Sequence, residues 1–163
     1  MTAMSANQKI SDLGLVLPAP MQVPAGVELP FRFTRTVGDR VYIAGHLPQQ
    51  ADGSLAQPIG KVGDDITVEQ AYQSARNVAL SILGSLQREL GDLDRITAWG
   101  KLFGMVNCAP DFTRQPQVIN GCSDLILEVF GSEIGAHARS AVGMSSLPFN
   151  VPVEVEGEVI IRT

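Results

Sequence analysis

Between Val68 and Leu90 apolar residues return every three or four positions, at Ala71, Ala75, Val78, Ala79, Ile82, Leu83, Leu86 and Leu90. That spacing lines one face of an α-helix. Thr67 and Gln70 ahead of the run form a capping box, and Gly91 stands just past its end. The pattern therefore predicts a helix over 68–90 with both ends specified. A second stripe, Val118, Cys122, Leu125, Ile126, Val129 and Phe130, predicts a helix over 117–130 with Gly131 beyond it. Elsewhere the pattern favours strands. Arg32–Thr36 and Arg40–Ala44 flank a Gly38-Asp39 turn, Ile96–Val106 forms a β-rich stretch ending at Pro110, and Ala138–Met144 and Val151–Ile161 close the chain. In the last of these, Val151, Val153 and Val155 alternate with Pro152, Glu154 and Glu156, giving one apolar and one polar face.

The remaining segments carry turn chemistry. Gln50–Gly63 is rich in Gly, Pro, Ala and Gln and reads as a loop with room for one short strand. Residues 1–29 contain Pro18, Pro20, Pro24 and Gly26 with little periodicity, and predict a short helix near Ile10–Leu13 followed by an extended arm. The order is two strands, helix, strand, helix, two strands. This predicts an α/β domain over 30–163, a mixed β-sheet with two helices packed on one face, preceded by an arm over 1–29. An antiparallel pairing of the last two strands would bring the polar groups of Arg139 and Glu154 to a shared cleft.

Composition narrows the function. The chain has 163 residues, 45% of them apolar and 18% charged, which suits one globular domain. Its net charge is −5 and its twelve Lys and Arg form no run, so a nucleic-acid partner is not expected. The N-terminus lacks the basic and apolar regions of a signal peptide, and no apolar run reaches membrane-spanning length. A soluble cytoplasmic protein is expected. Two cysteines are too few for a disulfide framework. Cys122 lies on an apolar helix face, whereas Cys108 stands at a strand end that can leave it exposed. The only histidines, His46 and His137, have no partner at metal-ligand spacing, so neither a metal nor a cofactor is expected. Phosphate-loop, dinucleotide and nucleophile-elbow signatures are absent.

Arg139 enters a strand and Glu154 sits on the polar face of the next. A guanidinium can grip a carboxylate with two parallel hydrogen bonds, and a nearby carboxylate can hold water or shuttle a proton. A surface Arg–Glu pair of small energetic value is the alternative.

The segment from His137 through Ala138-Arg139-Ser140 to Leu147-Pro148, followed by Val153-Glu154-Val155-Glu156, resembles the C-terminal signature of the RidA-like (YjgF-like) family. Ala44-Gly45-His46-Leu47-Pro48 is similar to that family's Ser-Gly-Gln-Ile/Leu-Pro, and Asp111-Phe112 with Asn120 to its Asp-Phe…Asn motif. The resemblance runs from about Pro30 to the end. It implies a chorismate-mutase-like α/β fold and a homotrimer with clefts between subunits. It also implies hydrolysis of reactive 2-enamines and 2-imines to 2-keto acids and ammonia, without metal or organic cofactor. Carried over, Arg139 binds the substrate carboxylate with help from the Gly45 N–H, Glu154 positions or activates water, and Asn120 lines the pocket. Phe31 stands where the family has a pocket Tyr, His46 where it has Gln, and Ala141 where it has a pocket Cys.

Besides a deaminase, the residues leave open a non-catalytic protein that binds small carboxylates. An endoribonuclease or translation inhibitor fits less well, because the chain is acidic and lacks a basic patch. A chorismate mutase would call for several cationic groups around a dicarboxylate, and Arg139 is the one clear candidate.

Overall fold

The computed structural model describes residues 4–163, folded as one mixed α/β unit. Its helices are α1 (Ala6–Asp12), α2 (Val68–Leu90) and α3 (Gln115–Ile134). Its strands are β1 (Thr34–Val37), β2 (Arg40–His46), β3 (Ile96–Asn107), β4 (Ala138–Met144) and β5 (Val153–Ile161). The strands form one five-stranded sheet in the order β1-β2-β5-β3-β4.

Local chemistry accounts for the ends of these elements. At the head of α2 the Gln70 N–H donates to Thr67 Oγ1 at 3.2 Å while the Thr67 N–H donates to Gln70 Oε1 at 3.0 Å. Gly91 closes the helix in the left-handed region, at φ 74°. α3 begins two residues earlier than the apolar stripe predicts because Pro116, with φ already fixed, suits the first turn of a helix. At Gly131 its backbone leaves the helical region before one last turn. The hairpin between β1 and β2 pairs Val37 with Arg40 across Gly38-Asp39, with Gly38 at φ 62°. A first-position glycine in a two-residue loop suits a type II′ turn, so this order of residues makes the hairpin. β5 starts at Val153 rather than Val151, since Pro152 has no N–H to offer the ladder.

Strand pairing departs from the expectation. β4 does not pair with β5. It runs parallel to β3, after the crossover through α3, and occupies the sheet edge. β5 lies between β2 and β3 and pairs antiparallel with both. Parallel neighbours need a crossover of a dozen or more residues, which α3 supplies, and the 145–152 connection then carries the chain back over β3.

α2 and α3 cover one face. Val41, Leu102, Val106, Val153, Val155 and Val159 of the sheet are fully buried against Val78, Ile82, Leu86, Ile119, Cys122 and Leu125 of the helices. Close approach depends on glycine: a Cβ on Gly121 would lie 2.0 Å from the Tyr72 carbonyl of α2, and one on Gly104 of β3 would lie 2.7 Å from Ile119. This closeness lays α3 against the β3–β4 edge. Ahead of β1, Ala6 and Ile10 of α1 are buried in the same core, and Leu15 and Leu17 pack on it. Cys108 is buried, correcting the expected exposure, and Cys122 is fully buried, which pushes its thiol up to about 12. Among the described residues no helix is long and apolar enough to cross a membrane.

Candidate functional site

Alternation along β5 puts Val153 and Val155 toward the helices and Glu154 on the opposite face, where it lies across from Met105 of β3. On the neighbouring strand, Ile43 to His46 spans three steps while its partner segment, Gly157 to Val155, spans two. The extra residue is a β-bulge, and it re-aims everything after it. Without it Gly45 would face the helices and His46 the open side. With it His46 turns inward and Gly45 meets Glu154.

That meeting is tight. A Cβ on Gly45 would lie 2.0 Å from Glu154 Oε1 and 3.0 Å from Cδ, so only glycine leaves room for the carboxylate. Glu154 is half-buried in the wall of a cavity of about 430 Å³ that Phe31, Leu47 and Phe149 also line. Burial, and secondarily the neighbouring Glu156, raises its pKa above the usual carboxylate value. Gly45→Ala should therefore push the Glu154 carboxyl toward solvent and cost about 1–3 kcal/mol of stability, the usual toll of overpacking. Carbon-13 titration of the Glu154 carboxyl checks this. Its pKa should fall toward the ordinary glutamate value in the variant, and an unmoved titration would disprove the contact.

His46 turns to the opposite face of the sheet from that carboxylate. Its ring is 2% exposed and packs against Phe33, with centroids 5.4 Å apart. Nδ1 lies 2.6 Å from the Ala44 carbonyl, so Nδ1 carries the proton and donates. Nε2, 2.9 Å from Ser85 Oγ, then accepts from the serine hydroxyl, whose oxygen accepts in turn from Arg88 Nη2 at 3.3 Å. Burial, offset in part by the Ala44 bond and aided by the Arg88 charge, pulls the His46 pKa down to about 4. The imidazole is neutral and structurally bonded.

Arg139 lies on the helix side of the sheet, opposite to Glu154. It is level with the buried Leu102 in the parallel β3–β4 ladder, so its side chain leans onto the helix face. Nη1 donates to Asn120 Oδ1 at 2.9 Å and to Ser123 Oγ at 3.0 Å, and Nη2 donates to the Pro116 carbonyl at 3.4 Å. Among the described residues these engage three of the five guanidinium donors and leave two unengaged. The serine is itself held. His137 Nδ1 donates to the Gly135 carbonyl at 2.7 Å, which makes Nε2 the acceptor of the Ser123 hydroxyl at 2.9 Å. A chain of bonds from Gly135 through His137 and Ser123 thus fixes the guanidinium. Sequence reasoning missed Ser123 and His137 as site residues. The signal was present, because Asn120 and Ser123 are three apart and so share a helix face.

The structure therefore makes two groupings. Arg139 and Asn120 come together at the β4 edge, and Gly45, Glu154 and Phe31 come together across β2 and β5. Within one chain the groupings stay apart: β4 and β5 are separated by β3, about 9–10 Å of sheet, and the key side chains leave opposite faces. Among the described residues no three His, Cys, Asp or Glu side chains converge so as to hold a metal ion.

Comparison with known proteins adds to this picture. Residues 10–155 match the profile of the family described as "YjgF/chorismate_mutase-like, putative endoribonuclease". Protein TCP17 of Trypanosoma cruzi is 44% identical over 122 residues, which cover 75% of either chain. Among solved structures, the protein Atu1372 of Agrobacterium tumefaciens, described as of unknown function, is 37% identical, with a TM-score of 0.85 over 98% of this chain and 93% of its own. A "putative endoribonuclease" of Shewanella oneidensis superposes with the same TM-score at 27% identity, over 97% of this chain and 100% of its own.

Proposed function

This chain belongs to the YjgF/chorismate-mutase-like family, and on that premise we propose that it hydrolyses 2-enamines and 2-imines to 2-keto acids and ammonia. The reaction takes place in clefts between the subunits of a cytoplasmic homotrimer. The observation that carries this reading is the separation just described. Arg139 is a carboxylate anchor with donors to spare, Glu154 is a proton carrier with a raised pKa, and one chain keeps them on opposite sides of its sheet. A second copy placed against the β4 edge supplies each with the other. A closed ring of such heterologous contacts is what a trimer provides.

The chemistry follows from the groups. The two spare donors of Arg139 hold the substrate carboxylate in a planar, charge-assisted contact, with the Asn120 amide and the Gly45 N–H beside it. Ionised Glu154 takes a proton from water as the water oxygen bonds to C2 of the protonated imine and the C=N π pair moves to nitrogen. The carbinolamine so formed collapses when Glu154 returns the proton to the amine. Ammonia leaves with the electron pair of the broken C–N bond, the hydroxyl oxygen closes the ketone C=O, and the hydroxyl proton passes back to ionised Glu154. An imine is already electrophilic, so anchoring, orientation and one proton carrier suffice. Phe31 offers a ring against the substrate without a hydroxyl, and His46, neutral and buried, supports the bulge that presents Gly45.

The test is hydrolysis of 2-imino acids released by an amino-acid oxidase, followed as a function of pH. Water activation needs Glu154 ionised, and its pKa stands above the ordinary 4.5. Activity should therefore fall as pH drops through a value higher than that of a free glutamate. Glu156→Gln removes the second cause of the shift and should move this acid limb to lower pH. An enzyme without activity, or an acid limb that Glu156→Gln leaves in place, contradicts the assignment. A non-catalytic carboxylate binder would keep the Arg139 contact and show no turnover at any pH.

A further inference from the structure

The cavity beside Glu154 is walled by the segment ahead of β1. Val23, Pro24, Val27 and Leu29 line it together with Phe31 and Phe149, and Glu154 is the one charged side chain among its described lining residues. The segment leading into this wall is tied down. The Ala19 and Gln22 N–H groups donate to the Ala51 and Gly53 carbonyls at 2.9 and 3.0 Å, and Arg88 Nη1 donates to the Pro18 carbonyl at 2.9 Å. Gly53 lets the 50–54 loop press on the arm, since a Cβ there would lie 2.1 Å from the Pro20 carbonyl.

A second observation concerns Phe149. Its backbone sits in the left-handed region at φ 56°, followed by Asn150 at φ 58°. A bulky L-residue is unfavourable there, and such strain concentrates at ligand-contacting positions. The surroundings hold the turn in place. Asn107 Nδ2 donates to Asn150 Oδ1 at 3.0 Å, the Gly60 N–H donates to the Asn150 carbonyl at 2.8 Å, and Lys61 donates to Asn107 Oδ1 at 2.9 Å. The result is an aromatic ring at the cavity, 63% exposed. An apolar surface of this kind around a single carboxylate needs an occupant that is apolar at one end and positive at the other.

We propose that the arm and Phe149 form a side-chain pocket that selects 2-imino acids with larger aliphatic or aromatic side chains over short or anionic ones. The inference rests on the deaminase reading. The protonated imine nitrogen lies toward Glu154 and the substrate side chain runs along Val27, Leu29 and Phe149. A second carboxylate on the substrate would meet apolar carbon and the Glu154 charge, with no cation among the described residues of this wall to receive it.

Calorimetry across a ladder of 2-keto acids tests this, with 2-oxobutanoate, 2-oxopentanoate, 4-methyl-2-oxopentanoate, phenylpyruvate and 2-oxoglutarate as probes. Each added methylene should tighten binding by about fourfold until the pocket is filled, and 2-oxoglutarate should bind weakest. Val27→Asp and Phe149→Ala, made separately, should each flatten the ladder. A ladder flat in the wild type, or 2-oxoglutarate binding as tightly as 4-methyl-2-oxopentanoate, overturns the selectivity and leaves the deaminase reading standing. If no 2-keto acid binds, both fall. Light scattering on the variants covers the other possible occupant, a second copy of the chain. A variant whose ladder flattens only because it dissociates marks the wall as an interface and overturns the proposal; flattening in an intact oligomer supports it.

Discussion

Replacing Arg139 with Ala should weaken binding of 2-oxobutanoate by about ten- to hundredfold, and Arg139→Lys should weaken it nearly as much. A hydrogen bond to a charged group contributes about 1.5–3 kcal/mol, which sets that range. Lysine keeps the charge but has no planar fork, so it cannot reproduce the two parallel bonds. Nor could it satisfy Asn120, Ser123 and the Pro116 carbonyl from the same position. Glu154→Gln should behave differently. It preserves the shape beside Gly45 and removes the proton acceptor, so turnover falls while 2-keto acid binding stays largely intact. Calorimetry on the three variants, with hydrolysis measured alongside, separates anchoring from proton transfer. Unchanged affinity in Arg139→Ala would place the carboxylate site elsewhere.

The second large effect is on stability. His46 has an ordinary pKa of 6.5 and is pulled down to about 4 in the folded chain, first by burial. Between those values the unfolded chain binds a proton that the folded chain excludes. Stability is therefore fully present above about pH 6.5 and is lost as pH falls through 4. Each unit corresponds to about 1.4 kcal/mol, so the loss at pH 4 amounts to about 3 kcal/mol. His46→Gln removes the titration and keeps a side chain able to bond the Ser85 hydroxyl. Urea unfolding of both proteins from pH 7 to pH 4 should show their stability curves converging or crossing by about that amount. Parallel curves would mean that the ring titrates as it does in water.

The sequence announced the elements more readily than their neighbours. α2 was legible because its stripe, its capping box and Gly91 agree with one another, and β5 because Val153 and Val155 alternate with Glu154 and Glu156. That β4 pairs with β3 was not legible, since alternation fixes which face a residue takes and says nothing about the adjacent strand. The resemblance named Arg139, Gly45, Phe31, Asn120 and Glu154 without dividing them between two places. The division depends on two features that leave little trace in composition: the crossover through α3, and one extra residue between Ile43 and His46. That residue also decides the position of His46, which occupies a motif position yet bonds Ser85 inside the fold. Ser123 and His137 were hidden for a related reason, because they act through Arg139 and gain meaning only when α3 lies against the β4 edge.

The central claim, that one copy's Arg139 works with another copy's Glu154, is tested most directly by mixing two inactive proteins. Arg139→Ala and Glu154→Gln subunits are unfolded together, refolded as mixed oligomers, and assayed for 2-imino acid hydrolysis. In a ring of randomly mixed subunits, about a quarter of the clefts pair an intact Arg139 with an intact Glu154. The mixture should therefore regain about a quarter of wild-type activity, while either variant refolded alone stays inactive. A mixture no more active than its parents would contradict the account.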